Sequence, residues 1–428
     1  MKVVAKKINV ILFNIILFFI ICYPLQFQML KIELFGAIVL VALIGKVRIR
    51  ISTFTGAFLF LTVAYNLWNL MIGSFAGYSP FPYFSLYIFS PLIYIFMFSV
   101  LRDYLRSKEF ILSLTLMLLY ISILDINAIL QESGKASVSL LSNLFTGRVG
   151  IHEGYTQIVD YNVYSLFFLL PFIFNVILYR MTNMAFALPV GLISLLALIL
   201  TGRRALWSAV LVAIIVSFVI YLIRVFESRN KKRLTQITVV GMFALIGLLV
   251  VLIYAFSSQN VLSLLDGLRA RFLDAFTDNG GLGVRNNQQT ALISDWLKSP
   301  VFGNGIAVPA SVIRSQDFLT AYEATYHALL YQIGLIGFLL YSVPTVVALF
   351  SLLRPRGKQT EWTLRYAVGA GLLSILLGIS TNPYFGSFDG LWMLFLPIMI
   401  YDDIFLSKDP QDYIINNSSK AMRLEEKV

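Results

Sequence analysis

The chain has 428 residues, of which 58% are hydrophobic and 13% charged. A soluble globular chain carries roughly 45–50% apolar and 25% charged residues, so a soluble protein is excluded. The net charge of +11 does not point to nucleic acid, because basic residues collect at the cytoplasmic ends of membrane helices. Cys22 is the only cysteine, which rules out an internal disulfide and a cysteine metal site.

Apolar runs predict membrane helices over about 8–24, 30–45, 53–74, 83–101, 110–131, 161–180, 184–200, 205–224, 235–256, 325–350, 364–381 and 388–405. The first run contains Cys22 after Ile21 without the small residues of a cleavage site, so it reads as a retained helix. If about twelve helices alternate, one side collects Lys2, Lys6, Lys7, the 46–50 and 102–108 clusters, Arg180, the 224–233 cluster, the 354–365 cluster and the tail's Lys408, Lys420, Arg423 and Lys427. The positive-inside rule makes that side cytoplasmic, with both termini in the cytoplasm. Lys31, Lys135, Arg148, Arg203, Arg204, Arg269, Arg271, Arg285, Lys298 and Arg314 then lie outside, against the rule. Most of them are arginine, whose planar fork of donors suits bidentate phosphate recognition.

Two outer loops are long, about 131–160 and 257–325. In the second, Leu264, Leu265, Leu268, Phe272 and Phe276 have the spacing of an amphipathic surface helix. A Gly/Asp/Asn break follows. A second helix is predicted over Arg285–Lys298, with Arg285, Gln289, Leu292 and Trp296 on one face. Pro300, Gly303 and Gly305 end it, and the glycines allow close backbone approach to a neighbour. No internal repeat is visible. The organisation read from these runs is 1–257 for helices one to nine, 258–324 for a periplasmic loop, 325–405 for helices ten to twelve, and 406–428 for a polar cytoplasmic tail.

Thr201-Gly202-Arg203-Arg204 leaves almost no room for a loop between two apolar runs, which pins two arginines at the outer membrane boundary. They are candidates for a lipid phosphate cradle; the plain alternative is snorkelling to headgroups. His327 opens another helix, where an imidazole at a water-accessible boundary can take a proton from a hydroxyl. The plain alternative is a histidine bonded to a carbonyl. His152, the only other histidine, is an isolated loop residue with an acceptor-contact role at most. Arg285 reads either as a functional cation or as part of a solvated helix face, while Arg269 and Arg271 fit lipid headgroups. Two histidines on separate loops without clustered carboxylates predict no metal site.

Together these residues resemble the O-antigen polymerase and O-antigen ligase superfamily (Wzy and WaaL), whose members have about a dozen helices and a large periplasmic loop in the C-terminal half. The resemblance is carried by Arg285, Trp296, Pro300-Val301-Phe302-Gly303-Asn304-Gly305, His327 with Gly334 and Gly337, Thr201-Gly202-Arg203-Arg204 and, loosely, Arg148 to Asn162. It implies an all-α, GT-C-like polytopic membrane fold with a large helical periplasmic loop. It also implies metal-independent, inverting glycosyl transfer on the periplasmic face of the bacterial inner membrane. The donor would be a glycan on undecaprenyl pyrophosphate, with no cofactor. Arg203, Arg204 and Arg285 would bind the pyrophosphate, and His327 would act as base with Arg285 beside it. Arg148, His152, Arg271 and Trp296 would contact the acceptor. Membrane lipids and a polysaccharide chain-length regulator are the expected partners. Ala328 stands where the ligase branch often has asparagine, and Trp207 and Ser208 break its Arg-x-x-x-Leu pattern, so the polymerase branch is favoured over the ligase. A flippase for the same lipids is the alternative from another class.

Overall fold

The computed structural model describes residues 2–132, 149–152, 155–158, 163–179, 181–201, 203–227, 282–313, 319–320, 322–354 and 359–406. The chain is an all-α polytopic membrane protein. Its helices are α1 (Lys2–Cys22), α2 (Gln28–Ile44), α3 (Thr53–Phe75), α4 (Phe81–Val100, with a π turn at Ser85–Phe89) and α5 (Lys108–Glu132). They continue with α6 (Val163–Leu178), α7 (Met184–Leu200), α8 (Arg204–Glu227), α9 (Leu282–Trp296), α10 (Thr325–Leu353), α11 (Gln359–Gly378) and α12 (Trp392–Leu406). Each predicted apolar run is a helix except 235–256, which lies outside the described residues, as do the amphipathic segment 261–276 and the tail. Six of the described helices are long and apolar enough to cross a membrane. A short hairpin, β1 (Val149–His152) against β2 (Tyr155–Ile158), is the one departure from the all-helical reading among the described residues.

Helix α6 is the centre of the bundle. Every residue from Val163 to Phe168 is fully buried, as expected for a helix apolar on all sides. Its main neighbours are α11, α8, α7 and α5. Gly371 and Gly378 bring α11 against it: a Cβ at these positions would lie 2.8 Å from the Phe168 ring and 2.5 Å from the Phe167 ring. On the outside, α8 shows Leu211, Ile215, Val219 and Ile223 as an exposed stripe at four-residue spacing. Such a stripe on a bundle of this hydropathy is a lipid-facing surface.

The two ends of the bundle are tied by different polar chemistry. At one end, buried Asp402 on α12 accepts from the Ser52 amide (3.0 Å) and from the Ser52 and Thr55 hydroxyls, and pairs with Arg102. Asp403 pairs with Arg106, and Lys6 pairs with Asp103. Ser52 is also the N-cap of α3, its hydroxyl accepting from the Thr55 amide at 3.1 Å.

At the other end, where α10 begins, Lys31 and Asp389 form an ion pair at 2% and 0% side-chain exposure. Lys31 Nζ donates to both Asp389 oxygens at 2.9 Å and to the Tyr23 carbonyl at 3.0 Å. Asp389 Oδ2 also accepts from the Leu25 amide (2.7 Å) and from Gln28 Nε2 (2.9 Å). This carboxylate thereby holds the α1–α2 turn, in which Leu25 and Phe27 adopt left-handed backbone at φ 62° and 54°. It also fixes the α11–α12 connection. The out-of-place Lys31 is therefore explained by a structural counter-charge.

Breaking one side of such a buried pair costs about 3–5 kcal/mol, because the remaining charge is stranded. Lys31→Met is accordingly expected to lower the thermal midpoint of the detergent-solubilised protein. Lys31→Met combined with Asp389→Asn, which keeps an acceptor for Leu25 and Gln28 without the charge, should recover part of the loss. A double variant no more stable than Lys31→Met would contradict this account.

Candidate functional site

The site is organised by a break in α10. Gly334 has φ 62° and ψ −172°, so the helical hydrogen bonds across it are lost. A buried helix interior cannot leave those groups unpaired. The turn after α9 supplies the partners. Asn304 N donates to the Tyr331 carbonyl (2.9 Å) and Gly305 N to the Gln332 carbonyl (3.0 Å). Beyond the break, Leu335 N donates to the Pro300 carbonyl (2.9 Å) and Ile336 N to the Val301 carbonyl (3.2 Å). Tyr65 Oη on α3 donates to the Ile333 carbonyl (2.9 Å) and the Phe302 carbonyl (3.0 Å). The turn is also held to α3 by Ile306 N, which donates to the Asn69 carbonyl at 3.2 Å.

This exchange demands glycine. A Cβ on Gly334 would lie 2.4 Å from Gly303 N and from the Val301 carbonyl oxygen, and one on Gly303 would lie 2.4 Å from the Gln332 carbonyl oxygen. The neighbour that Gly303 approaches is thus the backbone of α10, while Gly305 approaches α3, where a Cβ would lie 2.8 Å from Gly73 N. The amides of Gly303, Asn304, Gly305 and Ile306 all donate to protein carbonyls, so this glycine-rich turn is no phosphate cradle.

The turn positions α9. Trp296 Nε1 donates to the Pro300 carbonyl at 2.9 Å, closing the turn onto the helix end. Asp295 accepts from the Ser311 amide and from Lys298 Nζ, both at 2.6 Å. Burial raises the Asp295 pKa, but these donors outweigh it and hold the carboxyl below its usual range. Tyr322, buried beside them, has its phenol pushed up by burial. Leu292 is fully buried on the packed face of α9. Gln288 is 2% exposed, and its side-chain oxygen accepts from the Glu323 amide at 3.4 Å. Arg285 lies one turn earlier on α9 than Gln288.

His327 is half-buried in the first turn of α10, and its Nδ1 has no hydrogen-bond partner among the described residues. The carbonyl-bonded alternative is therefore not met at Nδ1. The same turn is tied to the α11–α12 connection: Thr325 Oγ1 donates to the Asn382 carbonyl at 2.9 Å. Two residues on, Tyr384 Oη accepts from Arg203 Nη1 at 2.9 Å. Arg203 sits half-buried between α7 and α8. One three-residue segment, Asn382–Tyr384, thus meets both Arg203 and the helix turn of His327.

Arg204 opens α8 directly after Arg203, with no loop between. His152 ends β1 with its backbone paired to Tyr155, in a strand rather than the expected loop. Arg148 and Arg271 lie outside the described residues. Sequence reading missed Asn382 and Tyr384, although Thr381-Asn382-Pro383-Tyr384 is a polar group at the end of an apolar run. Among the described residues, no three His, Cys, Asp or Glu gather to hold a metal ion. A groove of about 410 Å³ between α1 and α5 is lined by Asn14, Phe18, Ser113 and Tyr120 and shares no residue with this cluster.

Residues 189–342 match the family model Wzy_C, O-antigen ligase. Over that segment, about a third of the chain, the sequence is similar to the O-antigen polymerase and ligase superfamily. The match runs from α7 to α10 and takes in Arg203, Arg204, Arg285, Trp296, the glycine turn, His327 and Gly334. None of the curated proteins matches the chain. The matching family acts on lipid-linked oligosaccharides.

Gly334→Ala and Gly303→Ala combine left-handed backbone with backbone overlap, and each should cost more than about 2 kcal/mol. Gly36→Ala, where a Cβ meets nothing within 4 Å, is the control and should leave the thermal midpoint unchanged. Equal midpoints for Gly334→Ala and Gly36→Ala would refute the exchange of hydrogen bonds described above.

Proposed function

We propose that the chain is an O-antigen polymerase. It transfers a growing glycan from undecaprenyl pyrophosphate to the terminal sugar of another lipid-linked repeat unit. The reaction takes place on the periplasmic face of the inner membrane. The reading rests on one observation: Arg203 and the turn that carries His327 are hydrogen-bonded to a single segment, Asn382–Tyr384.

In the proposed step the acceptor hydroxyl oxygen attacks the anomeric carbon from the face opposite the pyrophosphate. The bond from that carbon to the pyrophosphate oxygen breaks, so the configuration inverts. His327 takes the hydroxyl proton, and the unpartnered Nδ1 is consistent with an imidazole kept for substrate. Negative charge builds on the leaving pyrophosphate. Arg203, Arg204 and Arg285 stabilise it as cations. Arg148, His152, Arg271 and Trp296 serve the acceptor side, with the Trp296 indole N–H already spent on the turn.

The ligase reading keeps the same donor and the same arginines but hands the glycan to a lipid A core. It is favoured by the description of the matching family model. Ala328 beside His327 and the missing Arg-x-x-x-Leu pattern favour the polymerase. A flippase would need its broken helix to present free backbone groups to a substrate near the bilayer midplane. The break in α10 has its carbonyls and amides taken by the turn, which speaks against transport through it.

Deleting the gene should collapse surface polysaccharide to a single repeat unit on the core. His327→Ala or Arg285→Ala, at normal membrane abundance, should cut polymer by about a hundredfold. A bare core with long chains retained on undecaprenyl pyrophosphate would make the protein the ligase. Single units trapped on the cytoplasmic face would overturn the enzyme reading.

A further inference from the structure

The geometry points to Tyr384 as a positioning residue that orients the Arg203 guanidinium for the donor pyrophosphate. This inference rests on the reading of Arg203 as a pyrophosphate ligand, and it extends the site beyond residues 189–342, where the family match ends.

The Tyr384 side chain is buried and packed against two aromatic rings. The residue is 6% exposed, and its ring lies 5.1 Å from the Phe167 ring and 5.7 Å from the Tyr164 ring, both fully buried. Its backbone forms a 3₁₀ turn, Tyr384–Gly386, folded against a second one, Phe388–Gly390. The fit is close enough that a Cβ on Gly390 would lie 2.1 Å from the Tyr384 carbonyl oxygen. Tyr94 Oη donates to the Phe388 carbonyl at 3.1 Å, and Asp389 is locked by Lys31. On the other side, Asn382 is held by Thr325. The phenol oxygen is therefore a fixed acceptor on a rigid plate.

Arginine is the opposite kind of group, with about 2 kcal/mol of rotamer entropy to lose on ordering. A fixed hydroxyl that accepts from Nη1 selects one orientation before substrate arrives. The same plate carries the contact to the His327 turn, so the arginine and the histidine are set relative to each other through one piece of backbone. Tyr384 acts here through Arg203 and touches neither sugar nor phosphate.

Tyr384→Phe tests this, since the ring and its packing stay while the acceptor goes. Chain growth per monodisperse protein should fall about tenfold, the scale of one hydrogen bond to a charged group. Binding of undecaprenyl pyrophosphate in detergent micelles should weaken by a similar factor. Arg203→Lys should lose more, and the double variant should be no worse than Arg203→Lys alone, because Tyr384 has nothing left to orient. Wild-type behaviour of Tyr384→Phe, or single effects that multiply in the double variant, would overturn the inference. So would a lower thermal midpoint with unchanged affinity, which would assign the hydrogen bond to stability alone. Full activity and affinity in Arg203→Lys and Arg203→Ala would instead remove the underlying reading of Arg203.

Discussion

The site depends on an exchange of backbone hydrogen bonds between the broken helix α10 and the turn after α9. A helix inside a membrane protein cannot be interrupted at Gly334 without stranding carbonyls on one side and amides on the other. A turn that dips into the bundle cannot leave its own amides unpaired either. Each solves the other's problem, residue by residue: Asn304 with Tyr331, Gly305 with Gln332, Leu335 with Pro300 and Ile336 with Val301. The close approach this requires explains why glycines stand at 303 and 334, and the packing of the same turn on α3 at Gly73 explains Gly305. Its consequence is positional. Helix α9, with Arg285 in its first turn, is held to the helix that His327 opens.

The α11–α12 connection does the corresponding work on the other flank. Its far part is anchored by the buried Lys31–Asp389 pair, and its near part reaches Thr325 and Arg203 through Asn382 and Tyr384. The connection thus links the first turn of α10, the α7–α8 junction and the α1–α2 turn, which are distant in sequence. Aromatic packing of Tyr384 on Tyr164 and Phe167 joins that cluster to α6, the most deeply buried helix. The chemistry proposed for the site needs a base and cations at fixed separation, and this arrangement supplies rigid supports for both.

Much of the fold was legible because hydrophobic run length is a strong signal in membrane proteins. The runs at 53–74, 110–131 and 205–224 became helices with nearly the same ends. The arginines at 203 and 204 stood out because they break the charge rule, and the same rule exposed Lys31 as anomalous. Composition alone could not separate their causes: Lys31 has a buried carboxylate partner in Asp389, 358 residues away. Pairings across such separations leave no periodic trace. For the same reason Tyr384 was missed, since one tyrosine in an aromatic-rich chain carries no local mark of its contact with Arg203. The glycine turn was recognised as a place of close approach, but its partner, the break at Gly334, lies within an unbroken apolar run that reads as continuous helix.

The most direct test of polymerisation uses the purified protein in proteoliposomes, supplied only with undecaprenyl-pyrophosphate-linked repeat units and sampled by mass spectrometry of the extracted lipids. The account predicts lipid-linked dimers and longer chains, with one equivalent of free undecaprenyl pyrophosphate released for each new linkage. Repeat units that remain single, yet are transferred once a lipid A core acceptor is added, would contradict it.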